Sequence, residues 1–270
     1  MRSLPALTLA ALTAAAAGRA HAQAFNGGLP AGFTCNAASP AFACGTSTAS
    51  GTLTLAPGGG SRFGWISTSG GNSRNPLGIT GTTNGTTLTS NVFSVTAGQS
   101  LGFSFNYITS DGSGSFTDYA YVRLLRVGGS ASILFTARTN PTPGANTVPG
   151  FGLPGIAPGV TLTPPSTPIN PGAVTFAPGN ISGCFATGCG FTGWITAQLA
   201  VADAGDYQLE FNVFNVGDTN FQTGLAFDYT LVGGVPAPPP TDVIPEPSTY
   251  ALMATGLAGL AALRRRRRNA

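Results

Sequence analysis

The stretch Asn91–Gly112, NVFSVTAGQSLGFSFNYITSDG, decides the fold. Leu101, Phe103, Phe105 and Tyr107 alternate with Gly102, Ser104 and Asn106. Side chains in a strand point to opposite faces in turn, so this is the period of a half-buried β-strand. The segment closes on Asp-Gly, a turn signal. The same beat returns at Ile195, Ala197, Leu199 and Val201, then at Tyr207, Leu209, Phe211 and Val213 after the turn ADAGD. Phe214 and Val216 shift that phase by one, as a bulge or strand end does. Leu225, Phe227, Tyr229 and Leu231 complete the set.

Outward from these strands the signal thins. YAYVRLLRV (119–127) is apolar on both faces apart from its two arginines, and SILFTAR (132–138) adds a short strand. Phe25 to about Ser90 is rich in Gly, Ser, Thr and Asn, which suggests brief strands and long turns. Asn140 to about Asn180 is rich in Pro and Gly and reads as a surface loop with one strand near Val174–Ala177. No part of the body has helical periodicity. Many short strands with Gly-rich turns predict an all-β sandwich. AGDYQLEFNVFN followed by TGLAFDYTLV resembles the last two strands of many extracellular jelly-roll domains, and the resemblance implies a jelly-roll order.

Composition removes several function classes. Of 270 residues only 8% are charged, and there is no lysine. The first 24 residues read as a signal peptide: Arg2, an apolar run from Leu4 to Ala17, and small-x-small cleavage sites at Ala20-His21-Ala22 and Ala22-Gln23-Ala24. Its removal takes away the only histidine. Catalysis through Ser-His-Asp, Cys-His or His-ligated zinc then falls away, as do Schiff-base and P-loop chemistry without lysine. The body holds Arg62, Arg74, Arg123, Arg126 and Arg138 against eight acids, so a nucleic-acid partner has no electrostatic footprint.

Cys35 with Cys44 and Cys184 with Cys189 form two close-spaced pairs. An oxidising export route favours two small-loop disulfides, although three connectivities remain open on paper. Asp111 and Asp118, in DGSGSFTD, are candidate oxygen ligands for calcium, but the EF-hand spacing is missing and an ordinary Asp-Gly turn competes. Trp65, Trp194, Tyr119 and Tyr121 are candidates for stacking on sugars, against a core role. Glu210 is the body's one glutamate and, with a second acid, would be needed for an exported glycosidase. No cofactor is expected.

The carboxyl end has three parts. VPAPPPTDVIPEP is an extended spacer, since proline lacks a donor and locks its backbone angle. Tyr250–Leu263 carries no charge and would be about 21 Å long as an apolar helix, against a bilayer core of about 30 Å. Arg264, Arg265, Arg266, Arg267 and Arg268 follow, stopping translocation and holding this end on the cytoplasmic side. With Pro245, Glu246 and Pro247, this arrangement resembles the PEP-CTERM sorting domain of exopolysaccharide-producing Gram-negative bacteria. The resemblance implies an exosortase as partner, with Pro245, Glu246 and Pro247 as recognition residues in a substrate. It implies passage through the inner membrane, then the cell envelope or the medium, where an exopolysaccharide is a candidate partner. TSDGSGSFTDYAYVRLL, LFTART, VPGFGLP, GCGFTGWI, AGDYQLEFNV and TGLAFD resemble a recurring ectodomain of such proteins, which brings no established activity. The expected organisation is a signal peptide (1–24), a β-sandwich ectodomain (25–232), a Pro-rich spacer (233–244) and a sorting and anchor segment (245–270). A non-catalytic structural or binding body is the expected function; a carbohydrate-binding module or a glycosidase is the alternative.

Overall fold

The computed structural model describes residues 25–230. The signal peptide, the spacer, Pro245, Glu246, Pro247, the apolar tail and Arg264–Arg268 lie outside them. Among the described residues no helix is long and apolar enough to cross a membrane.

Eight longer strands carry the body: β1 (Phe63–Ser67), β2 (Thr82–Thr89), β3 (Ser100–Thr109), β4 (Tyr119–Arg126), β5 (Ala131–Arg138), β6 (Ile195–Ala200), β7 (Gly205–Val216) and β8 (Thr223–Thr230). One sheet runs β2-β7-β4-β5, with the short strand Thr34–Asn36 on its β2 edge. The other runs β6-β3-β8-β1, with Val160–Thr163 on one edge and Cys44–Ser47 on the other. Every pairing is antiparallel.

The alternation read from the sequence is what packs. Leu101, Phe103, Phe105 and Tyr107 of β3, Ile195 and Ala197 of β6, and Leu225 and Phe227 of β8 meet Val122, Phe135, Leu209, Phe211 and Val213 from the other sheet in one core. Phe211 and Phe227 stack across it with ring centroids 3.9 Å apart. Each fully buried ring or branched chain contributes on the order of 1.5–3 kcal/mol. Two strand glycines let the rings lie flat. Gly64 faces Phe227 across β1 and β8, and Gly85 faces Phe214 across β2 and β7; a Cβ at either glycine would strike the ring.

The phase shift read at Phe214 and Val216 is a register slip of β7 against β2. The Pro/Gly segment corrects the sequence reading. Instead of one strand it holds five short ones, Asn146–Val148, Val160–Thr163, Thr167–Pro168, Asn170–Pro171 and Val174–Phe176. Two to four residues are too few to show a period, and proline tolerates edge and end positions where no donor is required. The cysteines pair as Cys35–Cys44 and Cys184–Cys189.

Candidate functional site

The loops after β3, before β8 and around the second disulfide gather at one pole of the sandwich. Beneath them lies a buried polar network. The Asp118 carboxylate has no exposed surface. Its Oδ1 accepts the Val216 N–H at 2.8 Å and its Oδ2 accepts the Thr223 hydroxyl at 2.6 Å. Val216 sits where β7 slips register, so the carboxylate satisfies an amide that the ladder releases. The Asp118 carbonyl accepts Tyr107 Oη and the Thr139 N–H, each at 2.8 Å. Burial pushes the Asp118 carboxyl well above the usual range; the Thr223 and Val216 donors pull the other way, and the charges of Asp111 and Asp218 add to the rise.

Asp111 is also buried, but less well supplied. Its Oδ1 accepts the Gly112 N–H at 2.7 Å, and its own N–H donates to Thr109 Oγ1. Its Oδ2 has no hydrogen-bond partner among the described residues. Burial, with a smaller push from Asp218, raises the Asp111 carboxyl to about 6. The two proposed calcium ligands are therefore joined through Thr109 and Thr223, whose hydroxyls lie 2.7 Å apart. Both oxygens of Asp118 are taken by chain donors, and no three His, Cys, Asp or Glu side chains gather as metal ligands among the described residues.

Above the network the surface turns aromatic. Phe116, Phe185 and Phe221 come from three different loops and touch: Phe185 lies edge-on to Phe116 at 5.6 Å and tilted against Phe221 at 4.9 Å. Phe185 is 48% exposed and Phe221 40%. The Cys184–Cys189 loop is stitched to the β3–β4 loop by Phe185 N–H to Ser110 O and Gly188 N–H to Gly112 O, at 2.8 and 2.9 Å. Phe221 is held at φ 49°, a left-handed conformation uncommon for a bulky residue. Beside the rings opens a cleft of about 580 Å³, walled by Pro143, Pro171, Phe185, Ala186 and the disulfide.

Sequence reasoning missed this trio. Each phenylalanine is alone in a Gly, Ser or Asn-rich loop; the one available signal was Phe185 enclosed by two cysteines. The aromatic residues that were singled out lie elsewhere. Trp65 is buried against Phe176, and Trp194 packs edge-on to Phe63 while its indole N–H donates to Thr54 O at 3.0 Å. Tyr119 and Tyr121 are fully buried beside Phe214. Glu210 Oε1 accepts Arg123 Nε at 2.8 Å and Asn212 Nδ2 at 3.0 Å.

Two solved structures are similar to this chain, the K1 and K3 cleaved adhesin domains of Lys-gingipain from Porphyromonas gingivalis W83. Identity is 11% and 12%, and the TM-scores are 0.34 and 0.33. Each alignment covers 77% of this chain, with 95% and 94% of the respective adhesin domain. No curated protein matches the chain. Residues 243–267 match the family model of the PEP-CTERM protein-sorting motif. The chain thus carries a PEP-CTERM sorting signal, the mark of an exported protein handled by an exosortase at the membrane.

Proposed function

We propose that this is a cell-envelope or extracellular-matrix protein with a non-catalytic ectodomain, which meets its partner through the aromatic pole. In this reading residues 1–24 are the signal peptide, 25–232 the ectodomain, 233–244 the spacer and 245–270 the segment that exosortase recognises and removes. Pro245, Glu246 and Pro247 are the recognition residues, and Arg264–Arg268 stop translocation at the inner membrane. The body is a jelly roll; support comes from strand order, since β1, β3, β6 and β8 lie in one sheet and β2, β4, β5 and β7 in the other.

The observation that carries the binding role is the contact of Phe116, Phe185 and Phe221 on an exposed surface. Its position supports the reading. Strand β8 starts beside Thr109 at this pole and runs eight residues to Thr230, about 24 Å at strand rise, so the chain heads toward its sorting segment from the far end. The cleft wall contains no carboxylate, and Asp111 and Asp118 are buried, which favours binding over hydrolysis. The partner is one that offers apolar surface; an exopolysaccharide, with C–H faces on its sugar rings, is the candidate that the sorting route brings.

The test uses the mature protein isolated from cells. Replacing both Phe185 and Phe221 by serine is expected to abolish co-sedimentation with the exopolysaccharide of the producing strain while the thermal melt is retained. Unchanged co-sedimentation would overturn the role of the pole. Deleting residues 245–270 is expected to release a folded body into the medium, as against retention at the inner membrane.

A further inference from the structure

The sandwich opens at its base, the end away from the aromatic pole. There β3 begins at Ser100 beside Ala200 of β6, and β4 ends at Arg126 beside Tyr207 of β7. Between the two sheets lies a second cleft, of about 170 Å³. Its floor is the outer end of the core, with Leu124 and Tyr207 from one sheet and Leu199 from the other. Its rim is polar: Ser132, paired with Leu124 across β4 and β5, the Arg126 guanidinium and the Asp203 carboxylate.

The charged pair is fixed in place. Arg126 Nη1 donates to Asp203 Oδ2 at 3.2 Å, and Nη2 donates to Ala204 O at 3.0 Å. The Tyr207 hydroxyl donates to Asp203 O at 2.8 Å and so pins the turn that carries the acid. Gly129 and Gly205 make room for the arginine, since a Cβ on either would stand 3.2 Å from its side chain. Both partners stay open to solvent, with 42% of the Arg126 side chain and 69% of the Asp203 side chain exposed. A guanidinium has five N–H donors, and these two bonds leave further ones, together with Asp203 Oδ1, for a ligand.

A donor beside an acceptor, above an apolar floor, suits neighbouring hydroxyls on a pyranose ring. One hydroxyl accepts from Arg126, the next donates to Asp203, and the C–H face of the ring lies on Leu199 and Tyr207. The two charges cancel, so the rim favours an uncharged sugar; a uronate would bring its carboxylate against Asp203. Pockets for whole drug-sized ligands run to roughly 300–1,000 Å³. This cleft is smaller, which fits one ring of a chain that continues outside.

We propose that the base cleft binds a single pyranose unit of a neutral polysaccharide through Arg126, Asp203 and Ser132. The ten residues of β3, about 33 Å at strand rise, separate it from the pole, and it does not depend on the reading given to Phe185 and Phe221.

Titration calorimetry on the mature exported protein tests this with cellotetraose and mannotetraose as neutral probes and a glucuronate tetrasaccharide as the charged one. At least one neutral probe is expected to bind, about tenfold or more tighter than the glucuronate. Arg126→Ala is expected to weaken that binding at least about tenfold while the thermal melt is retained, because an exposed ion pair adds little stability. Asp203→Asn keeps an acceptor but leaves the arginine's charge unbalanced, and is expected to erase the preference against glucuronate. Four results would overturn the proposal: no binding of either neutral probe, glucuronate bound as tightly as the better of them, unchanged affinity in Arg126→Ala, or an undiminished preference in Asp203→Asn. The Phe185→Ser, Phe221→Ser protein is expected to bind the neutral probe as the native one does; loss of binding there would move the ligand to the pole and overturn the proposal too.

Discussion

The two disulfides look alike in the sequence and differ in what they fasten. Cys35 belongs to the strand that extends one sheet at β2, and Cys44 opens the strand that extends the other at β1. Their bond ties the two layers together at a shared border, with Cys44 buried in the core cluster. Cys184 and Cys189 belong to one loop, and their bond shapes a surface that displays Phe185. Spacing foretells that two thiols are near each other. It does not say whether the link joins two layers of the scaffold or closes a surface loop.

Replacing Cys35 and Cys44 by serine together is expected to have the largest effect. Closing a loop of that length contributes about 3 kcal/mol by chain entropy, and here the layers also lose their clamp. Urea unfolding should show the midpoint fall with little change in slope. The same double change at Cys184 and Cys189 is expected to cost about 2 kcal/mol or less, while binding at the pole is lost. An equal or greater loss of stability from the second pair would break the comparison.

The buried acids sharpen it further. Asp111, held near 6 in the folded protein against an ordinary carboxyl near 3.8, binds its proton more tightly when folded. The stability this adds is complete below about pH 4 and is lost as pH rises through about 6. Unfolding free energy should therefore drop by about 1–2 kcal/mol across that window, after discounting for its place in a surface loop. Asp111→Asn keeps an acceptor for the Gly112 N–H and should reduce this drop, leaving the part that comes from Asp118, whose carboxyl burial also raises. A drop of undiminished size in the variant would remove Asp111 as its source. The smallest expected effect is at Phe221. Asparagine tolerates the left-handed backbone there, so Phe221→Asn should leave stability within about 0.5 kcal/mol and weaken binding at the pole in the co-sedimentation measurement.

The strands of the core were legible because β3, β6, β7 and β8 set large apolar side chains on the core face against mostly small or polar residues on the other, which leaves a period of two even where, as in β3, the second face is buried as well. Strand β2, TTNGTTLT, was not. Its inward Leu88 stands among threonines, and Thr86 reaches the core only because its hydroxyl donates to Ser67 O at 2.7 Å. A strand flanked on both sides, by β7 and by Thr34–Asn36, takes its stability from its neighbours and shows little of it in its own residues. The candidate site was hidden for a different reason. Phe116, Phe185 and Phe221 are brought together by tertiary structure alone, and no window of sequence contains two of them. Asp111 and Asp118 were noticed for their chemistry, yet one serves mainly as an acceptor for a displaced amide.

The ring-facing glycines at 64 and 85 have a consequence for how this domain tolerates change. Substitution scans usually find the greatest intolerance among bulky interior residues, which can at least be trimmed. Here the severest positions should include two that have no side chain to trim. Even alanine at Gly64 would push Phe227 out of its stack with Phe211 and part the two layers from within.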